Sequence, residues 1–156
     1  MVTLTHILSE VKWKRVCSHY AFSPSFFEWV PDVERTFDWM LDTTAITKWI
    51  SGRRVGWLAR KDEEYFGFIW GDLEEDVLTI NICFDEGSSG KDKVKACRLA
   101  EDEARELGVA EVLGQVCIEN KRSLAFIKYL GYKRKRKVSK VLRGADTDYY
   151  EINKVL

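Results

Sequence analysis

The stretch from Asp76 to Ile118 constrains the fold of this 156-residue chain more than any other part of it. It begins with DVLTINICF, rich in β-branched residues and apolar on both faces, the pattern of a strand buried in the middle of a sheet. A small, polar segment, DEGSSGKDK, follows. Val94, Cys97, Ala100, Ala104 and Leu107 then recur at helical spacing, and Gly108 stands where a helix would stop. AEVLGQVCI reads as a second strand. Strands separated by a helix need a crossover rather than a hairpin, so at least part of the sheet is expected to be parallel.

The flanking sequence fills in the rest. VTLTHI alternates as a first strand does. SEVKWKRVCSHYAF is read as a helix capped by Ser9, although Val11 and Trp13 also alternate. PDVERTFDWMLDTTAITKWIS carries Val33, Phe37, Met40/Leu41 and Ala45 at helical spacing, with Pro31 just ahead and Ser51-Gly52 at its end. VGWLARKD and EYFGFIWGDL are two strands around a turn at KDEE. NKRSLAFIKYL is a helix with Asn120 as its cap and Leu124, Ile127 and Leu130 on one face. YKRKRKVSKVL and DYYEINKVL form a last strand pair joined through RGADTD. The predicted order is β-α-α-β-β-β-α-β-α-β-β, a mixed α/β sheet in one domain spanning residues 1–156.

Composition narrows the class. Formal net charge is zero, so overall charge implies no partner. Locally, Lys121 to Arg143 holds ten Lys or Arg and no acid, and Asp62 to Glu86 holds nine acids and no base. The four cysteines, Cys17, Cys83, Cys97 and Cys117, form no C-x-x-C pair, which suits a reduced, cytoplasmic chain with buried thiols. His6 and His19 have no partner at metal spacing, so no metal site is expected. The N-terminus lacks a signal-peptide pattern, and no apolar run approaches the ~18 residues of a membrane span.

The strand–loop–helix unit at Phe84 to Asp92 has the chemistry of an anion site. Glycines let backbone approach a ligand closely. The first helical turn offers unpaired N–H groups and the positive end of a dipole, which together suit a pyrophosphate. Lys91 and Lys93 could add charge. A Gly-Ser loop before a helix is also a common purely structural device.

Asn120, Ser123, Leu124, Gly131 and Tyr132 resemble the N-x-x-S/A-x-x-x-x-x-x-x-G-F/Y signature of the GNAT family, the GCN5-related N-acetyltransferases, and the element order is similar along essentially the whole chain. The compact form also resembles GNAT-like proteins encoded by tailed phages. The resemblance implies fourth and fifth strands that splay apart to hold acetyl-CoA. Ile82, Cys83 and Phe84 would present backbone groups to its pantetheine arm. Gly87, Ser88, Ser89, Gly90, Lys91 and Asp92 occupy the family's R/Q-x-x-G-x-G/A pyrophosphate loop, and Asn120 and Ser123 would flank the cofactor. The first two helices, with Phe37, Trp39, Met40 and Trp49, would wall the acceptor side. Three positions depart from the family pattern. Gly87 replaces Arg or Gln, Asp92 replaces Gly or Ala, and Ile127 stands where many members have a general-acid Tyr.

Only a free amine attacks a thioester, so a base is useful. By the same resemblance that base falls on Asp76, crowded by Glu74 and Glu75. The expected activity is acetyl transfer from acetyl-CoA to an amine, on a protein or a small molecule, by direct attack, in a monomer or homodimer. The alternative is a catalytically silent GNAT-fold protein that binds a partner protein or nucleic acid. The run KRKRKVSK suits a solvated edge strand, where lysines deter pairing; it matches no recognised nucleic-acid motif.

Overall fold

The computed structural model describes residues 1–7, 28–32 and 52–156. The two helices expected between Ser9 and Ser51, and the aromatic wall with them, lie outside these residues. The described elements are β1 (Val2–His6), β2 (Arg54–Lys61), β3 (Glu64–Glu74), β4 (Val77–Phe84), α1 (Gly90–Glu106), β5 (Glu111–Cys117), α2 (Lys121–Tyr129), β6 (Lys133–Leu142) and β7 (Ala145–Val155). The strands form one seven-stranded sheet in the order β1-β2-β3-β4-β5-β7-β6. Every pair is antiparallel except β4–β5, which the α1 crossover makes parallel. The expected mixed sheet is therefore present.

α1 and α2 pack on the same face of the sheet. α1 lies over β1, β2 and β3, and turns Ala96, Cys97, Ala100 and Ala104 inward. These small side chains let the helix settle close to Trp57, Ala59 and Ile69 of the sheet, which are fully buried. Leu124 and Ile127 of α2 join the same cluster with Val112 and Ile152. A fully buried aliphatic or aromatic side chain contributes roughly 1.5–3 kcal/mol, so this one cluster fixes both helices.

The final hairpin is tighter than its sequence suggests. β6 and β7 are joined by the two residues Arg143 and Gly144, with φ of 49° and 76°, rather than by the six-residue RGADTD. Both central residues are left-handed, the geometry whose twist matches the strands. Asp32 holds the turn, accepting hydrogen bonds from the amides of Arg143 (2.7 Å) and Gly144 (2.9 Å). β6 is an edge strand, as its lysines imply, with its first five residues exposed and a register shift between Arg134 and Arg136. Charge and irregularity together discourage edge-to-edge pairing.

Gly71 sets the spacing of β3 and β4. A Cβ there would collide with the Thr79 carbonyl oxygen, a backbone atom that cannot swing aside. Gly71→Ala is expected to destabilise the fold by about 1–3 kcal/mol, read as a lower urea midpoint at unchanged slope.

Candidate active site

The site begins where the parallel ladder stops. β4 and β5 pair only at Val77–Thr79 with Glu111–Leu113. β4 then continues through Phe84 with β3 still on its other side, and β5 through Cys117 with β7 on its other side. The unpaired length of β4, Ile80 to Phe84, is about 16 Å. The Asp85 amide donates to the Phe66 carbonyl, 2.8 Å away, so the main-chain groups of odd-numbered residues on β4 face β3. Alternation turns those of Ile80, Ile82 and Phe84 toward the gap. Ile82 and Phe84 thus turn their main-chain groups to it. Cys83 does not: its main-chain groups belong to the β3 ladder. Its side chain is buried, and burial pushes the thiol up to about 12, so it carries no nucleophilic thiolate at neutral pH.

At the open end of the gap lies the loop. Ser88 spends both its amide (3.2 Å) and its hydroxyl (2.8 Å) on the Asp85 carbonyl. Ser89 caps α1, its hydroxyl accepting from the Asp92 amide at 3.1 Å. The amides of Gly87, Ser89, Gly90 and Lys91 have no hydrogen-bond partner among the described residues. They lie at the N-terminus of a 17-residue helix, where unpaired amides and the helix dipole suit an anion. Gly87 has φ of 81°, a conformation that strains any residue with a side chain, which accounts physically for the missing Arg or Gln. Lys91 is exposed, and the Lys93 ammonium lies 6.0 Å from the centre of the Phe84 ring.

Asp92 does not stand alone in the first turn of α1. Lys61, at the end of β2, donates to its carboxylate at 2.9 Å. The Lys61 hydrogen bond, with that of Ser89, holds the Asp92 carboxyl below its ordinary value, and the same contact raises Lys61. The contribution of the pair is complete above pH 3.8 and below pH 10.5, the ordinary values of the two groups. It is lost only as pH falls through the lowered Asp92 value or rises through the raised Lys61 value. Lys61 lies 31 residues from Asp92 in sequence, so no local pattern could have found it.

α2 borders the gap from the β5 side. The Asn120 side chain accepts from the Ser123 amide at 3.3 Å, and Ser123 is half-buried. Phe126 meets Phe84 edge-on, 6.3 Å between ring centres, joining α2 to the end of β4 over the gap. Ile127, at the family's Tyr position, is buried, and Tyr129, two residues on, is 70% exposed. A cavity of about 350 Å³ lies beside α2, lined by Leu124, Ile127, Lys128, Tyr132, Lys133, Arg134 and Ile152. None of these residues belongs to the gap-lining strands or the loop.

Asp76 sits apart from the loop and from the gap, one residue before the paired segment Val77–Thr79 that closes it. It follows Glu75 (φ 55°) in the turn between β3 and β4. Its carbonyl accepts from the amides of Ala110 (2.7 Å) and Glu111 (3.3 Å), which pins the start of β5, and its side chain is exposed. Of its acidic neighbours, Asp72 is engaged by Arg54 at 2.7 and 3.2 Å, while Glu74 and Glu75 are exposed.

The same fold recurs in solved structures that superpose on nearly the whole of this chain. The chain has the GNAT fold. It superposes on the spermidine N-acetyltransferase of Vibrio cholerae in complex with CoA and spermine with a TM-score of 0.78 at 12% identity, covering 97% of this chain and 95% of that one. Mycobacterium smegmatis RimJ in complex with CoA-disulfide gives 0.75 at 13% identity, over 97% and 81% of the two chains. The aminoglycoside acetyltransferase AAC(6')-Ib with coenzyme A gives 0.71 at 14%, over 98% and 95%. No protein-family model and no curated sequence matches the chain.

Asn120→Ala is expected to lower stability by about 1 kcal/mol through loss of the α2 cap, while Asn120→Asp stays near wild type; thermal unfolding of the two variants side by side checks this.

Proposed function

We propose that this protein is an N-acetyltransferase that moves the acetyl group of acetyl-CoA to an amine by direct attack. The observation that carries this reading is the interrupted β4–β5 ladder with unpartnered loop amides at its open end. Those residues fit the group they would hold. The amides of Gly87, Ser89, Gly90 and Lys91 would take the pyrophosphate, and the main chain of Ile80, Ile82 and Phe84 would pair with the amide-bearing pantetheine arm. The N-acetyltransferase neighbours solved with CoA support the same assignment.

Bound acetyl-CoA supplies an acyl carbon whose bond to sulfur breaks as its bond to the amine nitrogen forms. The chain's part is to hold that carbon in place and to polarise its carbonyl with N–H groups of β4, a form of oxyanion stabilisation. By the resemblance, Asp76, exposed beyond the Val77–Thr79 rungs, would take the proton from the incoming ammonium. Ile127 would offer the departing thiolate no proton, so solvent would supply it. The neighbouring enzymes act on spermidine and on aminoglycosides by name, and an amine acceptor of small or protein origin follows for this chain. The edge strand β6 is read as protected rather than as a nucleic-acid contact.

Acetyl-CoA at about a hundred times its Kd is expected to raise Tm by roughly 5 °C or more. A flat melting curve at millimolar acetyl-CoA would leave only the silent-binder alternative. With an accepted amine in hand, Asp76→Ala is expected to lower kcat about 100-fold or more with little change in the acetyl-CoA-induced Tm rise. An unchanged kcat removes Asp76 from the mechanism.

A further inference from the structure

The loop carries a carboxylate where an anion is to bind. Asp92 lies in the first turn of α1, beside the free amides of Gly90 and Lys91. A fixed negative charge at that distance opposes a phosphate. Lys61 answers it from another element. It is the last residue of β2, and its ammonium is 2.9 Å from the Asp92 carboxylate.

The surrounding charges leave Lys61 to this task. Asp62, next in sequence, is taken by the N-terminal amine at 3.1 Å, and Glu63 by Arg60 at 3.5 Å. Lys93 is engaged with the Phe84 ring. Asp85 and Glu86, the other acids of the loop, have no ion-pair partner among the described residues and are not approached by Lys61. The Lys61 side chain is half exposed (54%), whereas that of Asp92 is largely covered (18%). The carboxylate is thus the more enclosed partner, with its charge cancelled from the sheet side.

We propose that Lys61 is a positioning residue for phosphate recognition: by holding and neutralising Asp92, it lets the loop amides accept an anion that Asp92 alone would repel. This rests on the reading of the loop as the acetyl-CoA pyrophosphate site. Lys61 thereby supplies from β2 the compensation that becomes necessary once Asp92 replaces a neutral residue.

The test is calorimetric titration of acetyl-CoA into the folded full chain at low salt, for wild type, Lys61→Met, Lys61→Arg, Asp92→Ala and the double variant Lys61→Met/Asp92→Ala. Lys61 is half exposed, and thermal unfolding of each variant without ligand checks that the fold is kept. Lys61→Met is expected to weaken binding about tenfold. The double variant should return to within about twofold of wild type, because the charge that needed cancelling is gone. Lys61→Arg should bind as wild type does. Acetyl-pantetheine, which lacks the nucleotide phosphates, should bind all variants alike.

Lys61→Met binding as tightly as wild type would overturn the proposal. So would a double variant as weak as Lys61→Met, since Lys61 would then touch the phosphate itself rather than act through Asp92. If wild type gives neither heat nor a Tm rise with acetyl-CoA, the acetyl-CoA reading falls and this proposal with it. If wild type binds and Lys61→Met is unchanged, only this proposal falls.

Discussion

Three rungs of parallel pairing, Val77–Thr79 against Glu111–Leu113, join the two halves of the sheet. On one side lie β1 to β4, on the other β5, β7 and β6. The open stretch of β4 follows from the ladder stopping there. Backbone donors and acceptors are rarely left unpaired inside a protein, yet β4 turns those of Ile80, Ile82 and Phe84 to a neighbour that has moved away. Gly71 takes part in this arrangement. It allows β4 to lie close to β3 at Thr79, the last residue of the ladder. The turn at Glu75-Asp76 takes part too, because the Asp76 carbonyl accepts from the first amides of the β5 segment.

So short a ladder needs support from elsewhere, and the helices provide it. α1 and α2 share one apolar cluster that reaches from Trp57 in β2 to Ile152 in β7. One ionic contact ties the same elements together. Lys154 of β7 binds both oxygens of Glu101 on α1, at 2.9 and 2.8 Å, and the Leu130 carbonyl at the end of α2, at 2.7 Å. Glu101 is 5% exposed, so its charge is held inside the protein only because Lys154 answers it. A buried carboxylate stripped of its partner costs several kcal/mol. The ammonium also sits favourably at the negative end of the α2 dipole. Burial, followed by the nearby Glu101 charge, pushes the Tyr132 hydroxyl up beyond its usual range, which suits a packing role for that residue.

The described elements were legible in the sequence because their signals are local. β-branched runs gave the central strands, the Ala and Cys spacing gave α1, and Asn120 marked the start of α2. The resemblance of the loop and of the Asn120 segment located the cleft, which spacing alone does not reveal. What stayed hidden depends on contacts between distant residues or on dihedral angles. The turn at Arg143-Gly144 needed two left-handed residues and a carboxylate from Asp32. The main-chain direction of Cys83 needed the register with β3. The Lys61–Asp92 pair needed the β2–β3 hairpin to be folded beside α1. Asp92, which breaks the family pattern on paper, has its ion-pair partner on a strand that no motif search would inspect.

The gap also has a mechanical meaning. A guest lying along Ile80–Phe84 would supply the hydrogen bonds that β5 withholds, and so would act as a removable strand at the midline of the sheet. With it in place the two half-sheets are bridged along most of their length; without it they meet at a three-residue hinge. Occupancy and rigidity are then two readings of the same bonds.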